Sequence, residues 1–143
     1  MFDFKDNIGR YIAVTHRHMV RRIAKKLEPF GIGAGQYPFI FALYIQDGQA
    51  QQSLADRTAV DKAAAARTIG KLEAAGYVRR EKHGKDGRSF KVFLTPKARR
   101  IRRKLEAAVL EILDELQKGF GSRERAQAKE LLSRMISNIS GSK

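Results

Sequence analysis

The chain has 143 residues, 43% of them hydrophobic and 31% charged, a balance that suits a folded core and excludes a disordered polymer. It has no cysteine, which excludes disulfides, thiol redox sensing and cysteine-ligated zinc or iron–sulfur centres. Its 29 lysines and arginines against 15 acids give a net charge of +14, which points to a polyanion as partner.

That charge is unevenly placed. Residues 51–100 carry 13 basic and 5 acidic side chains, net +8, whereas the segments before and after carry net +3 each. No apolar run approaches the roughly 18 residues of a membrane span. The first six residues also lack the basic-then-apolar pattern of a secretory signal. A cytoplasmic protein is expected.

In chain order, Ile8, Tyr11, Ile12, Thr15, Met19, Ile23 and Leu27 recur at three- and four-residue steps and predict an amphipathic helix over about residues 5–28. Pro29, Gly31, Gly33 and Gly35 break it. A second helix is predicted from about 35 to 46, with Pro38 tolerated in its first turn. It is apolar nearly all round, so a buried, central position is expected. After a turn at Asp47-Gly48 come two short helices, about 51–57 and 61–75. Asp61 is a good N-cap for the second, and Gly76 a good stop. On that helix Ala65, Ile69 and Leu72 share one face, while Ala63, Ala64, Arg67, Thr68 and Lys71 fall largely on the other.

The period then changes from 3.6 to 2. Residues 77–83 and 90–94 read as two strands joined by the charged, glycine-containing loop 84–89, a β-hairpin. Thr95-Pro96 announces a long helix, about 96–119, and a last helix is predicted over about 123–139. The fold class is therefore mainly α with a small β-hairpin wing. A winged helix-turn-helix domain, residues 31–95, is flanked by an N-terminal helix, residues 1–30, and C-terminal helices, residues 96–143. The terminal helices carry more apolar stripe than one winged domain covers. Pairing with a second copy would bury it, so a homodimer is expected.

From about residue 35 to 98 the chain also resembles the MarR family of bacterial winged-helix regulators. The resemblance rests on Gln51-Gln52-Ser53-Leu54-Ala55, on Val60-Asp61-Lys62-Ala63-Ala64-Ala65-Ala66-Arg67, and on Leu72-Glu73-Ala74-Ala75-Gly76-Tyr77-Val78-Arg79-Arg80. Asp86-Gly87-Arg88 and Leu94-Thr95-Pro96-Lys97-Ala98 complete it. It implies a transcriptional regulator in which residues 61–75 form the recognition helix and the flanking helices dimerise. Arg67 would reach bases, Arg88 would sit at the wing tip in the minor groove, and Asp86 would pair with Arg88 or Arg80. Ala63 and Ala64 stand where the family often has Ser or Thr, leaving methyl contacts to thymine. Ala98 replaces a frequent glycine.

The residue chemistry adds roles. An exposed arginine such as Arg67 can bind guanine bidentately, worth about 1–3 kcal/mol of discrimination. Lys62 and Lys71 suit phosphate, as do members of the set Arg79, Arg80, Lys82, Lys85 and Lys91. Alternate strand residues point opposite ways, so about half of the wing set faces away from a duplex. Asp86 has a plainer reading as a turn aspartate. Lys62, Ala63, Ala64, Arg67, Thr68, Lys71, Arg79, Arg80, Lys85, Asp86, Arg88 and Lys91 are the candidate DNA-binding residues.

The family resemblance further implies a crevice for a small aromatic or anionic effector, where His16, Arg17 and Tyr37 could meet a carboxylate. His16 and His18 point about 200° apart on a helix and His83 is alone, so no metal and no cofactor is expected. No nucleophile elbow, phosphate loop or zinc-hydrolase motif occurs, and no enzyme is expected. The expected partner is a double-stranded, pseudo-palindromic operator. Alternatives are a non-specific architectural DNA- or RNA-binding winged helix and a protein-interaction scaffold. A membrane partner is disfavoured, because the basic residues concentrate on a hairpin.

Overall fold

Asn7 starts the first helix: its side-chain oxygen accepts the Arg10 N–H at 2.8 Å, satisfying one of the free donors at the helix end. In the computed structural model, which describes residues 1–141, this helix is α1, Ile8–Leu27, closed by a single 3₁₀ turn at Glu28–Phe30. Gly31 takes the left-handed conformation (φ +68°) and returns its N–H to Glu28 O at 3.0 Å. Helix α2 follows at Tyr37–Ile45, with Pro38 in its first turn as expected.

The order continues with β1 (Gln49–Ala50), α3 (Gln51–Thr58), α4 (Lys62–Ala74), β2 (Val78–His83), β3 (Ser89–Leu94), α5 (Pro96–Leu116) and α6 (Ser122–Ile139). The protein is mostly helical, with a small antiparallel sheet in the order β1-β3-β2. The expected two-stranded hairpin is thus a three-stranded sheet. Strand β1 pairs Gln49 with Val92 and Ala50 with Lys91. Two residues are too few to show a period of 2, and their pairing depends on a partner some forty residues on.

The chain divides into two compact units after Val109. In the first, the core gathers Ile23 and Leu27 of α1, Phe39, Ile40 and Leu43 of α2, Leu54 of α3, Ile69 and Leu72 of α4, and Val92 of β3. Helix α2 is not buried all round as its composition suggested. Tyr37, Phe41 and Tyr44 are half-buried and Ile45 is 80% exposed, because a helix at the edge of a core has only one side to cover. Tyr44 donates its hydroxyl to Ala98 O at 2.5 Å, tying α2 to the start of α5. Burial pushes the Tyr44 phenol up to about 12.

The second unit holds the last residues of α5, a turn around Gly119 (φ +85°) and α6. Glu124 caps α6 by accepting the Gly121 N–H at 2.9 Å. Leu131, Leu132, Ile136 and Ile139 of α6 are all exposed. Among the described residues no helix is long and apolar enough to cross a membrane.

Candidate nucleic-acid interface

Two local devices shape the helix-turn-helix. Helix α3 ends on Ala59 in the left-handed conformation (φ 57°), and Val60 N–H reaches back to Ala55 O at 3.0 Å. Asp61 then starts α4, its carboxylate accepting the Ala64 N–H at 2.8 Å. The turn is therefore three residues long, and α4 begins with a fixed direction. The expected cap at Asp61 is the one observed.

Helix α4 shows the two faces read from its period. Ala65, Ile69 and Leu72 are fully buried. Lys62, Ala63, Arg67 and Lys71 are exposed, and Ala64 and Thr68 lie between. The Thr68 hydroxyl donates back to Ala64 O at 2.9 Å, so its hydrogen is engaged within the helix. Among the described residues no carboxylate lies within ion-pair reach of Lys62, Arg67 or Lys71.

The helix stops at Gly76 (φ +83°), with Tyr77 N–H on Leu72 O at 3.0 Å, and the chain turns into the wing. Strand register sorts the wing cations. Arg79, Glu81 and His83 lie on one face, opposite Phe93, Lys91 and Ser89. Arg79 bonds to Glu81, and its guanidinium stands 4.6 Å from the Phe93 ring centre. Arg80 lies on the other face, opposite buried Val92, and turns toward α4. Its guanidinium meets the Glu73 carboxylate at 3.2 Å, and its backbone N–H meets the same carboxylate at 3.0 Å.

At the tip, Lys85, Asp86 and Arg88 are exposed, and Gly84 (φ +90°) and Gly87 (φ +65°) make the turn. Asp86 accepts the backbone N–H of Arg88 at 3.2 Å. The expected ion pair from Asp86 to Arg88 or Arg80 is not formed. The carboxylate is spent on its own turn, two residues along, while Arg80 has a nearer acid in Glu73. Lys91, half-buried on β3, and the two tip cations have no acidic partner among the described residues.

Helix α4 and the wing tip adjoin. A cavity of about 370 Å³ is lined by Lys62 at the start of α4, by Gln51 and Gln52 of α3, and by Arg88 and Phe90 of the wing. Two cations from different elements thus face one opening. Sequence reasoning missed the contribution of α3, because Gln51 and Gln52 carry no charge to mark them.

The proposed effector residues are less gathered. His16 and Arg17 are exposed on α1. Tyr37 is half-buried, meets Phe41 edge-on at 5.6 Å, and has its phenol pushed up by burial. None of the three lines the 370 Å³ cavity. Among the described residues no group of three His, Asp or Glu side chains is placed to hold a metal.

Residues 30–89 match the model of the MarR family. The chain is 30% identical over 105 residues to the uncharacterized HTH-type transcriptional regulator YybA of Bacillus subtilis (strain 168), covering 73% of this chain and 70% of that protein. It is 40% identical to a MarR transcriptional regulator from Methanosarcina mazei Go1, with a TM-score of 0.84 over 92% of this chain and 94% of that one. A MarR protein from Peptoclostridium difficile shares the fold at 22% identity, with a TM-score of 0.90 over 99% and 94% of the two chains.

Proposed function

The chain belongs to the MarR family of helix-turn-helix transcriptional regulators, and on that premise we propose that it is a homodimeric transcriptional repressor that binds double-stranded DNA sequence-specifically. One observation carries this reading. The recognition helix presents Lys62, Arg67 and Lys71 without acidic partners, beside a wing tip whose Lys85 and Arg88 are equally free. Arginine 67 enters the major groove, where base edges are distinguishable, and Arg88 enters the adjoining minor groove. Lys62, Lys71, Lys85 and Lys91 hold phosphates and set the register.

Exposed Ile8, Tyr11 and Ile12 on α1, and the exposed apolar residues of α6, support a second copy as their cover. A two-fold dimer places its recognition helices on half-sites about 10 bp apart, on a pseudo-palindromic operator. Repression follows where such an operator overlaps a promoter. Relief by a small aromatic or anionic effector near His16, Arg17 and Tyr37 belongs to the same proposal. The Tyr37 phenol, pushed further up by burial, is a neutral donor at ordinary pH. Benzoate added to the preformed complex should release the duplex.

Fluorescence anisotropy on the duplex upstream of the protein's own gene, against a random duplex of equal length, tests the core of the proposal. Upstream binding at least about a thousandfold tighter, with a log–log salt slope of roughly −5 to −9, is the expected result. Equal affinities for the random duplex, the upstream duplex and duplexes selected from a random-sequence pool would instead assign a non-specific architectural protein. No binding at low salt would assign a protein-interaction scaffold.

A further inference from the structure

Arg80 of the wing touches three other elements of the winged domain. Its backbone N–H donates to Glu73 Oε2 at 3.0 Å. Its Nε and Nη2 donate to Glu73 Oε1 at 3.3 and 3.2 Å. Its Nη1 reaches Gln51 Oε1 at 3.5 Å, and its guanidinium stands 5.4 Å from the Phe90 ring centre. One side chain on β2 therefore joins the recognition helix α4, the helix α3 before it and the second wing strand β3. Gly70, one turn before Glu73 on α4, lies beside the guanidinium: a Cβ there would meet Nη2 at 3.7 Å, an ordinary contact.

The geometry points to Arg80 as a positioning residue that sets the wing against the recognition helix, rather than as a phosphate contact. The inference rests on the DNA-binding reading above and deepens it. Three of the arginine's five donors are committed, all to oxygens of the protein, and the side chain is only 25% exposed. Two N–H groups remain, but turning the guanidinium out to a phosphate would cost its charge-assisted pair with Glu73. Holding it gains something different. The major-groove helix and the minor-groove loop must engage one duplex together, and a preset angle between them removes the ordering cost of that engagement. Phosphates binding without sequence make no such demand, because any disposition of cations meets some of them.

The two roles give opposite signs on Glu73. If Arg80 only positions, Glu73→Gln loosens the wing and lowers specific affinity. If Arg80 contacts phosphate, Glu73→Gln frees it, removes a repelling carboxylate and strengthens binding. The experiment uses the full chain, the tightest duplex selected from a random-sequence pool, and a random duplex. Glu73→Gln should weaken the selected duplex about tenfold and leave the random duplex unchanged or tighter. Arg80→Gln should do the same with the salt slope unchanged. The charge swap Glu73→Arg/Arg80→Glu should recover part of the loss. Gln51→Ala, which removes only the longest bond, gives a smaller effect in the same direction without risk to folding.

An Arg80→Gln slope reduced by about 2, one phosphate per protomer of the proposed dimer, with both duplexes weakened alike, would overturn the inference. So would a Glu73→Gln variant that binds the selected duplex as tightly as the wild type. Amide hydrogen exchange on the free protein separates this failure from that of the DNA reading. Glu73→Gln should speed exchange across Val78–His83 and Ser89–Leu94 whether or not any duplex binds, and unchanged exchange would overturn the positioning role. A wild type that selects no duplex would sink the DNA reading, and with it the specificity role of Arg80.

Discussion

At the base of the wing, Leu94 donates its N–H to Asp47 at 2.8 Å, Thr95 donates its hydroxyl to Gly76 O at 2.6 Å, and Lys97 reaches Ala75 O at 2.6 Å. Asp47 also receives Arg99 at 2.6 Å, and the buried Gln49 side chain bonds to Ala42 O and Gln46 O at 2.8 and 2.7 Å. At the tip, six residues along each strand, Asp86 makes one local bond and Lys85 and Arg88 project into solvent. The same hairpin is thus held at one end by side chains distant in sequence and shaped at the other by its own turn. A base anchored in this way can carry a tip whose cations are left for a partner. Their energies should therefore be separable: damage at the base should cost stability, and damage at the tip should cost binding.

The largest test is beneath the base. Leu72 is fully buried on α4, and Leu72→Ala should cost about 2–5 kcal/mol in urea denaturation through lost transfer energy and the cavity left behind. Arg88→Ala should leave the same denaturation curve within about 0.5 kcal/mol, as surface substitutions do, while weakening duplex binding. Equal effects of the two on stability would break the comparison.

A matched pair of glycines sharpens it. Gly48 (φ +71°) and Gly87 (φ +65°) share a left-handed backbone, so alanine is strained at both. At Gly48 the new Cβ would stand 2.9 Å from the Phe93 ring, whereas at Gly87 it meets only the Lys82 Cδ at 3.8 Å. Gly48→Ala should cost about 1–3 kcal/mol, with Gly87→Ala at the lower end of that range, by thermal melting.

A gain is expected at Gly70, inside α4 and without a left-handed φ. Gly70→Ala meets Arg80 at ordinary contact distance and should add about 0.5–1 kcal/mol of stability. A further effect appears only in alkali. The Tyr44 phenol, raised to about 12 by burial, stays protonated in the folded chain while the unfolded chain ionises near 10. Its contribution is present below pH 10 and is lost as pH rises from there toward 12. Tyr44→Phe should flatten that part of the pH–stability curve.

Much of the candidate site was legible before any coordinates. Asp61 as cap, Gly76 as stop, and the division of α4 into buried Ala65, Ile69 and Leu72 against exposed Lys62, Arg67 and Lys71 all follow from neighbours within four residues. The partner of Arg80 was not legible. Glu73 lies seven residues away and Gln51 twenty-nine, and in sequence Arg80 looks no different from Arg79 beside it. For Asp86, the resemblance suggested an ion pair and local turn chemistry suggested a backbone bond. The local bond is the one formed.

What the sequence by itself determined was the kind and order of the helices and of the two hairpin strands, the basic middle third and the family likeness. Helical period, caps and turn residues act over a few positions, so they can be read in one dimension. Only the tertiary structure decided that Gln49–Ala50 adds a strand to β3, that α2 leaves Ile45 exposed, and which wing arginine is bound to the protein and which is free. Those outcomes depend on which groups meet across separations such as the forty-seven residues from Asp47 to Leu94, and distance in space at that range has no signature in local pattern.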